Sequence, residues 1–394
     1  MTGVLDGIRI VDFGRYIAGP FGTAIMSDMG ADVIRVEKLA GGEDRYIGPV
    51  DDKGTGAGYL QVNRNKRGMT LNPLKPEGQE VAKKLIATAD VVTANMPPEP
   101  LKAMGLDYAS LCAVKPDIIF ANTTAFGENG PYSDRVGFDG IAQAMSGSVY
   151  LAGSPEMPQR AIAAQVDFCT AMSGVVGVMA AIMEHRVSGR GQEVSMDLLG
   201  TALNVMNPQL IEQALTGVGR TATGNRGQLS APTDIYSCKD GWIMAQVVGQ
   251  PLFERWAKMI GVEAWIDDPR FRDDTTRGKN GEIVSLRMAA WCAERTVAET
   301  IAACDQARLP CGPVNSPQQA LDDPHIQAKQ YLKPLAYPGI DEPVPVARAP
   351  FQMSLSEVSV KHRAPELGEH TDQIMAELGY GEDEIRSLRE KRVI

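Results

Sequence analysis

The sequence predicts an α/β protein: a parallel sheet flanked by helices in its first half, followed by a smaller α+β unit. In the first half, short β-rich runs alternate with helical patterns of about ten to fifteen residues, which is typical of βαβ units. With 394 residues the chain is long enough for two domains at the usual ~100–200 residues each. A stretch rich in Gly, Thr, Ser and Asn, residues 217–232, indicates a loop between the two patterns.

The individual elements follow from hydrophobic periodicity and from helix-start signals such as Pro20. The predicted strands cover residues 8–13, 32–37, 90–95, 117–122 and 193–196, with a further pair inside 234–248. The predicted helices cover residues 20–29, 76–89, most of 101–114, a run from 198, then 251–260, 283–293 and 297–306. A charged amphipathic pattern over residues 367–394 predicts one more helical segment.

The composition, with 44% apolar and 22% charged residues, is that of a soluble globular protein. A net charge of −10 disfavours a nucleic-acid surface. The six cysteines and four histidines lack metal-ligand spacing, so we expect no metal and free thiols in a reducing cytoplasm. No secretory signal is visible at the start of the sequence. Residues 168–183 are uncharged but shorter than the ~20 residues of a membrane span, which predicts a buried core helix.

Asp167 stands directly before this uncharged run, and its chemistry allows three roles. As a helix N-cap it would accept backbone N–H groups, a contribution of about 1 kcal/mol. As a general base it would need a raised pKa. As a nucleophile it would need only ionisation, which an ordinary carboxyl of pKa ~3.9 already has at neutral pH. The residues alone favour the cap and leave the other two roles open.

The loop after the first predicted strand, residues 14–22, precedes a helix N-terminus, where anionic ligands often bind. Its glycines lack the G-x-G-x-x-G spacing, so dinucleotide binding is not predicted. Basic residues near the predicted carboxyl ends of strands fit a phosphate-rich ligand and fit solvated surface lysines equally well. They are Arg15, Lys38, Lys75, Lys102 and Arg135.

Eight segments, in order and over essentially the whole chain, carry a resemblance to a known family. They are LDGIRIVDF, AGPFGTAIMSDMGADVIRVEK, NRNKRGMTLN, GFDGIAQAMSGS, HRVSGRGQEVSMDLL, RLPCGPVNS, DDPHIQAK and APELGEHTDQIMAELGYGEDEI. The sequence resembles the class III CoA-transferases, the CaiB/BaiF family, which includes formyl-CoA, carnitine and succinyl-CoA transferases and 2-methylacyl-CoA racemases.

The resemblance implies a Rossmann-like large domain over residues 1–200, completed by about 330–394. A linker over 201–228 and a small domain over 229–315 would follow, in a homodimer whose two chains interlock. It also implies acyl-CoA and small carboxylic acids as substrates, with no tightly bound cofactor.

The family nucleophile is an aspartate about thirty residues after the motif [YFH]-[DE]-x-x-x-Q-A, and Asp167 has that place relative to Phe138. Asp167 would then form an acyl anhydride and an aspartyl-CoA thioester, while N–H groups at its helix start stabilise the oxyanion. By position, CoA contacts would fall on Tyr16, Ile17, Ala18, Lys38, Leu71, Lys75, Asn95, Met96, Lys102, Met104, Arg135 and Phe138.

Several positions depart from the family pattern. The strict basic positions hold Leu74, Ala103 and Val136, so Lys75, Lys102 and Arg135 are only their neighbours. Phe138 replaces the histidine of racemases, which disfavours the alternative of an acyl-CoA racemase or epimerase. Ile17 and Phe138 replace a glutamine and a tyrosine of oxalate-specific members, which favours a larger or more apolar acid. A non-catalytic CoA-binding protein is the remaining alternative.

Overall fold

Strands and helices alternate along residues 2–394, the range that the computed structural model describes. The strands are β1 (Arg9–Asp12), β2 (Asp32–Glu37), β3 (Arg67–Thr70), β4 (Val91–Ala94), β5 (Ile119–Thr124), β6 (Gly153–Ser154), β7 (Met157–Pro158), β8 (Glu193–Asp197), β9 (Thr233–Cys238), β10 (Gly241–Gln246), β11 (Cys311–Pro313), β12 (Leu332–Tyr337) and β13 (Ile340–Ala347). The helices are α1 (Pro20–Asp28), α2 (Ala57–Val62), α3 (Pro76–Ala87), α4 (Pro98–Met104), α5 (Tyr108–Val114), α6 (Asp139–Met145), α7 (Ser148–Leu151), α8 (Gln165–Ser188), α9 (Leu198–Thr216), α10 (Gln250–Met259), α11 (Asp274–Lys279), α12 (Gly281–Ala293), α13 (Val297–Ala307), α14 (Pro317–Asp322), α15 (Pro324–Ala328), α16 (Thr371–Glu377) and α17 (Glu382–Glu390). Short 3-10 turns lie at Glu43–Tyr46, Glu263–Trp265 and Pro269–Phe271.

The main sheet is parallel throughout, in the order β3-β2-β1-β4-β5-β8, which confirms the predicted α/β fold with a central parallel sheet. From β1 the chain adds β2 and β3 on one side, and then returns to add β4, β5 and β8 on the other. The direction of the strand order therefore changes between β1 and β4. In open α/β sheets the loops that leave such neighbouring strands diverge and form a crevice at their carboxyl ends.

Both faces of this sheet are covered, as a parallel sheet requires. One apolar core contains Val11 and Ile34 from the strands together with Leu85 of α3 and Ile374 and Leu388 of α16 and α17. The other contains residues of β1, α1 and α8. The helical segment predicted over 367–394 thus completes the same unit as the first strands.

The chain divides into two compact units. The large unit comprises the residues up to Ser146 with Ala161–Pro208 and Gln327–Ile394, and the small unit comprises Gly147–Arg160 with Gln209–Ile326. The small unit has an antiparallel sheet, β11-β10-β9, whose apolar face packs on helices that include α10 and α12. Residues 201–216 of the predicted 201–228 linker are helical, because the apolar run that starts α9 continues past Pro208.

Helix α8 differs from the expected buried core helix. Val178 and Ile182 are buried, but Met172, Val176 and Val187 are exposed, the last two at 71% and 87%. The helix is long and apolar enough to cross a membrane, and 39% of its most apolar stretch is buried; a lone helix of this kind also occurs in soluble proteins. The prediction was wrong because an uncharged run does not show that both helix faces are covered within one chain.

A buried ion pair stands where the strand order changes. Asp12, at the end of β1, accepts a hydrogen bond from Lys66 Nζ at 2.8 Å, and both side chains are fully buried. Asp12 also accepts from Thr93 Oγ1 at the end of β4 and from Thr23 Oγ1 in α1. Burial raises the pKa of Asp12, but Lys66 and Arg35 outweigh burial and hold it at about 2. One carboxylate thus joins the two strands and the helix that border the crevice.

Breaking this pair is expected to destabilise the protein, because removal of Lys66 leaves the buried Asp12 carboxylate with Arg35, 4.0 Å away, as its remaining charged partner. Lys66→Met should lower the free energy of unfolding by about 3–5 kcal/mol in chemical denaturation. The double variant Lys66→Met, Asp12→Asn should lower the free energy of unfolding by less than Lys66→Met alone. The control Lys83→Met removes an exposed pair with Glu80 and should change stability by less than about 1 kcal/mol. Equal effects of Lys66→Met and Lys83→Met would contradict this assignment.

Candidate active site

Asp167 lies in the first turn of α8 and is partly buried. The N-cap residue is Ala164, and no side chain of this helix makes a cap hydrogen bond, so the expectation that Asp167 caps α8 was wrong. The cap comes from another helix. Asp139 Oδ2 accepts the backbone N–H of Val166 at 2.7 Å and that of Asp167 at 3.1 Å. The carboxylate of Asp167 is therefore not used in capping.

Asp139 is itself held in place. Its other oxygen accepts a hydrogen bond from Gln143 Nε2, one turn further along α6. The Gln143 side-chain oxygen in turn accepts the N–H of Ala161 at 2.9 Å, in the segment that leads into α8. The Asp and Gln of the F-D-x-x-x-Q-A motif therefore fix the start of the helix that carries Asp167. This gives the motif a physical role that the sequence alone did not show.

The arrangement changes the acidity of Asp167. Burial, and after it the nearby negative charge of Asp139, raises the pKa of Asp167 from its ordinary 3.8 to about 7. The assumption of an ordinary, fully ionised carboxylate was therefore wrong. At neutral pH both protonation states are populated, and the ionised form is more basic than that of a solvated aspartate.

The helix start does not offer the free N–H groups expected to stabilise an oxyanion. Asp139 takes the N–H groups of Val166 and Asp167, and those of Gln165 and Phe168 donate to the carbonyls of Ala163 and Ala164. These donors are occupied before any substrate arrives.

An aromatic pair connects this carboxylate centre to the loop after β1. Phe138, the residue before Asp139, is 54% exposed, and its ring meets that of Tyr16 edge-on with centroids 5.5 Å apart. Tyr16 has a left-handed backbone with φ of 59°, which side chains rarely adopt outside functional or strained sites. The next residue along the loop towards β1, Arg15, lines a cavity.

This cavity of about 480 Å³ lies at the carboxyl ends of β1 to β4, where the strand order changes. Arg15 and Asn95 close the crevice between β1 and β4: Asn95 Oδ1 accepts the Arg15 N–H at 2.6 Å, and Asn95 Nδ2 donates to the Arg15 carbonyl. The lining residues are Phe13, Arg15, Arg35, Val36, Glu37, Lys38, Leu39, Ala40, Gly42, Leu71, Asn72, Pro73, Leu74, Lys75, Met96, Met104 and Arg392.

The structure brings some of the predicted contact residues to this cavity and leaves others outside. Five line it: Lys38, Leu71, Lys75, Met96 and Met104. The others do not: Tyr16, Ile17, Ala18, Asn95, Lys102, Arg135 and Phe138. Within that second set, Tyr16 and Phe138 form the aromatic pair and Asn95 holds Arg15. The Arg135 guanidinium lies over the Tyr132 ring at 4.6 Å, and Lys102 is exposed on α4.

Sequence reasoning missed three side chains of this region. Asp139 was visible as the acidic position of the motif, but its capping role depends on contact with a distant helix. Glu43 lies between two cations of the cavity, pairing with Arg15 and with Lys38 at 2.5 Å. Arg392 reaches the cavity from the segment after α17, and no local pattern marks it. In residues 2–394, no cluster of three or more His, Cys, Asp or Glu is arranged to hold a metal ion.

Comparisons with known proteins identify the family of this chain. The model of CoA-transferase family III matches residues 5–371, and the chain belongs to that family. It is 33% identical over 387 residues to the succinate–glutarate CoA-transferase of Agrobacterium fabrum, covering 95% of each chain. It is 32% identical over 394 residues to the succinyl-CoA–D-citramalate CoA-transferase of Chloroflexus aurantiacus, covering 99% of this chain and 98% of that one.

The fold is shared with a CaiB/BaiF family protein from Brucella suis, with a TM-score of 0.84 at 30% identity over 96% of this chain and 100% of that chain. These findings confirm the predicted family and define the protein as a class III acyl-CoA:carboxylate CoA-transferase.

The raised pKa of Asp167 predicts a pH profile. If the ionised carboxylate is the reactive form, kcat/KM for CoA transfer rises with pH through about 7 and is level above it. Asp139→Asn removes the like charge and keeps an acceptor oxygen, so the inflection should move to lower pH. It should stay above the ordinary range, because burial is the larger cause of the shift.

The matched control is Asp117→Asn, which removes a carboxylate at the far end of α8, where Asp117 meets His185. Its inflection should remain where it is in the native enzyme. An inflection that Asp139→Asn leaves unmoved would contradict the coupling of the two carboxylates.

Proposed function

We propose that the enzyme moves CoA from a short dicarboxylic acyl-CoA of the succinyl-CoA type to a free acid of about four to six carbons, with covalent intermediates on Asp167. The observation that carries the proposal is Asp167 itself: a partly buried carboxylate of raised basicity, not engaged in capping, at the place of the family nucleophile. The names of the two relatives given above support dicarboxylic substrates. The apolar residues Ile17 and Phe138 support an acid larger than oxalate.

The chemistry proceeds in four balanced steps. An Asp167 oxygen attacks the thioester carbonyl and the C–S bond breaks, which gives an aspartyl–acyl anhydride and the CoA thiolate. The thiolate attacks the aspartyl carbonyl and releases the donor acid, leaving an aspartyl-CoA thioester. The acceptor carboxylate attacks this thioester, forming a second anhydride and freeing the thiolate again. The thiolate then attacks the acceptor's carbonyl, which yields the new acyl-CoA and the original carboxylate.

The surroundings of Asp167 suit these four reaction steps. Each step exchanges one activated acyl bond for another, so the thioester free energy is conserved only if water stays away from the anhydrides. Burial of Asp167 supports that exclusion. A pKa of about 7 makes the carboxylate a stronger nucleophile than a solvated one while leaving a large ionised fraction at neutral pH. No further cofactor is needed to balance the reaction.

We place CoA along the route from Asp167 to the cavity. The thioester lies at Asp167, the pantetheine arm passes the Tyr16–Phe138 pair, and the adenosine end enters the cavity behind Arg15. Leu39, Leu71 and Leu74 give that cavity the apolar wall that suits an adenine ring. The racemase alternative gains no support, because the Phe138 side chain has no titratable group and cannot exchange a proton with the substrate.

We also propose that the enzyme works as a homodimer. Met172, Val176 and Val187 of α8 and Leu203 and Val205 of α9 are exposed apolar residues, and exposed apolar residues of this kind often belong to interfaces between proteins. A second copy of the chain would cover them, as in the interlocked dimers of the family. The free cysteines fit the predicted cytoplasmic location.

The test is a screen of acyl-CoA donors against free acids, with products measured by mass spectrometry. Succinyl-CoA with a four- to six-carbon acid should give transfer, and oxalate should be a poor acceptor. Asp167→Ala should lower kcat by at least about 10³-fold, since a covalent nucleophile is lost. Glu184→Gln, an exposed carboxylate on the same helix, is the control and should keep native activity. Full transfer by Asp167→Ala would overturn the mechanism, and oxalate as the best acceptor would overturn the acceptor assignment.

A further inference from the structure

The cations expected to hold the CoA phosphates are largely engaged elsewhere. Arg15 and Lys38 share the carboxylate of Glu43. Lys102 and Arg135 do not reach the cavity. Lys75 does reach it, but its ammonium donates a hydrogen bond to the backbone carbonyl of Lys391. The positions that the family resemblance implies therefore do not by themselves identify the group that binds the phosphates in this chain.

Arg392 is an exposed arginine on the wall of the same cavity. The charged residues next to it have partners: Arg389 pairs with Asp372, and Lys391 pairs with Glu77 at 3.4 Å. For Arg392, the described part of the chain supplies no carboxylate within ion-pair distance. Its guanidinium therefore brings an uncompensated positive charge to a cavity in a protein of net charge −10.

The backbone around Arg392 is held firmly. On one side, the Lys391 carbonyl accepts from Lys75; on the other, the Val393 carbonyl accepts the Asn72 N–H at 2.8 Å. Lys75 and Asn72 both belong to the β3–α3 loop that lines the cavity. Val393 is fully buried in the core of the large unit, which anchors the segment.

Arg392 also has a left-handed backbone, with φ of 55°. For a residue other than glycine this conformation is unfavourable and persists only when the surroundings impose it. Here the end of α17 imposes it, because the Val393 N–H donates to the Leu388 carbonyl at 2.9 Å and Val393 is buried in the core. The side chain is thus presented from a fixed backbone, which lowers the entropy lost when it binds an anion.

We propose that Arg392 binds the phosphate carried by the adenosine end of coenzyme A, its 3′-phosphate. The assignment rests on the proposed function, which puts the thioester at Asp167 and the adenosine end in the cavity. Arg392 stands there with Leu71, Leu74 and Met104, so a base on the apolar wall brings its phosphorylated ribose within reach. A guanidinium suits this role, because its planar fork can donate two parallel hydrogen bonds to one phosphate.

The experiment measures binding of CoA and of 3′-dephospho-CoA to the full chain by isothermal titration calorimetry. The native protein should bind CoA about tenfold or more tightly than 3′-dephospho-CoA. Arg392→Gln should weaken CoA binding by about tenfold and leave 3′-dephospho-CoA binding unchanged, so that the preference disappears. Arg392→Lys should retain part of the preference for CoA over 3′-dephospho-CoA. Arg389→Gln, in the same segment but outside the cavity, should behave as the native protein.

Each other outcome has a definite meaning. An unchanged preference in Arg392→Gln, or an equal loss for both ligands, overturns the assignment. A native protein that binds CoA with this preference and transfers no acyl group contradicts the proposed function while the assignment stands. A native protein that binds neither ligand overturns both.

Discussion

The proposed chemistry of this enzyme depends on one contact between two helices: the Asp139 carboxylate accepts the N–H groups of Val166 and Asp167 at the start of α8. A helix start needs an acceptor, and the usual solution is a residue of the same helix. Here the acceptor comes from α6, so Asp167 is released from capping while a second negative charge is placed beside it. The position and availability of Asp167 thus share one cause, and the same Asp139 carboxylate adds to a rise in the pKa of Asp167 that is due first to burial. Gln143, one turn further along α6, donates a hydrogen bond to the Asp139 carboxylate and keeps it in place.

The sheet fixes the cavity at the carboxyl ends of its strands. Its strand order changes between β1 and β4, which opens a crevice, and the buried Asp12–Lys66 pair stands at that point. A buried pair of this kind contributes little net stability but strongly penalises any arrangement that separates it. The carboxyl ends of β1 and β4 are thereby fixed relative to each other. On this fixed edge the loops carry Arg15 and the other cavity residues.

Local sequence signals predicted the parallel sheet, and a family motif singled out Asp167 as the candidate nucleophile, because both patterns are encoded over short stretches. The features that failed prediction depend on residues distant in sequence. Asp139 acts on a helix that begins well after its own, which no helix-capping pattern can show. The exposed face of α8 has the same composition as a buried one. Arg392 reaches the cavity only because its segment is bound to the β3–α3 loop, where Lys75 and Lys391 meet across 316 positions.

The central claim is that Asp167 becomes covalently acylated during CoA transfer. The most direct measurement quenches the enzyme with hydroxylamine during turnover of an acyl-CoA and locates the resulting hydroxamate by peptide mass spectrometry. The account predicts a hydroxamate on Asp167, formed only when acyl-CoA is present, while Asp139 stays unmodified. Turnover with no modification at Asp167, or with modification at another carboxylate, would contradict it.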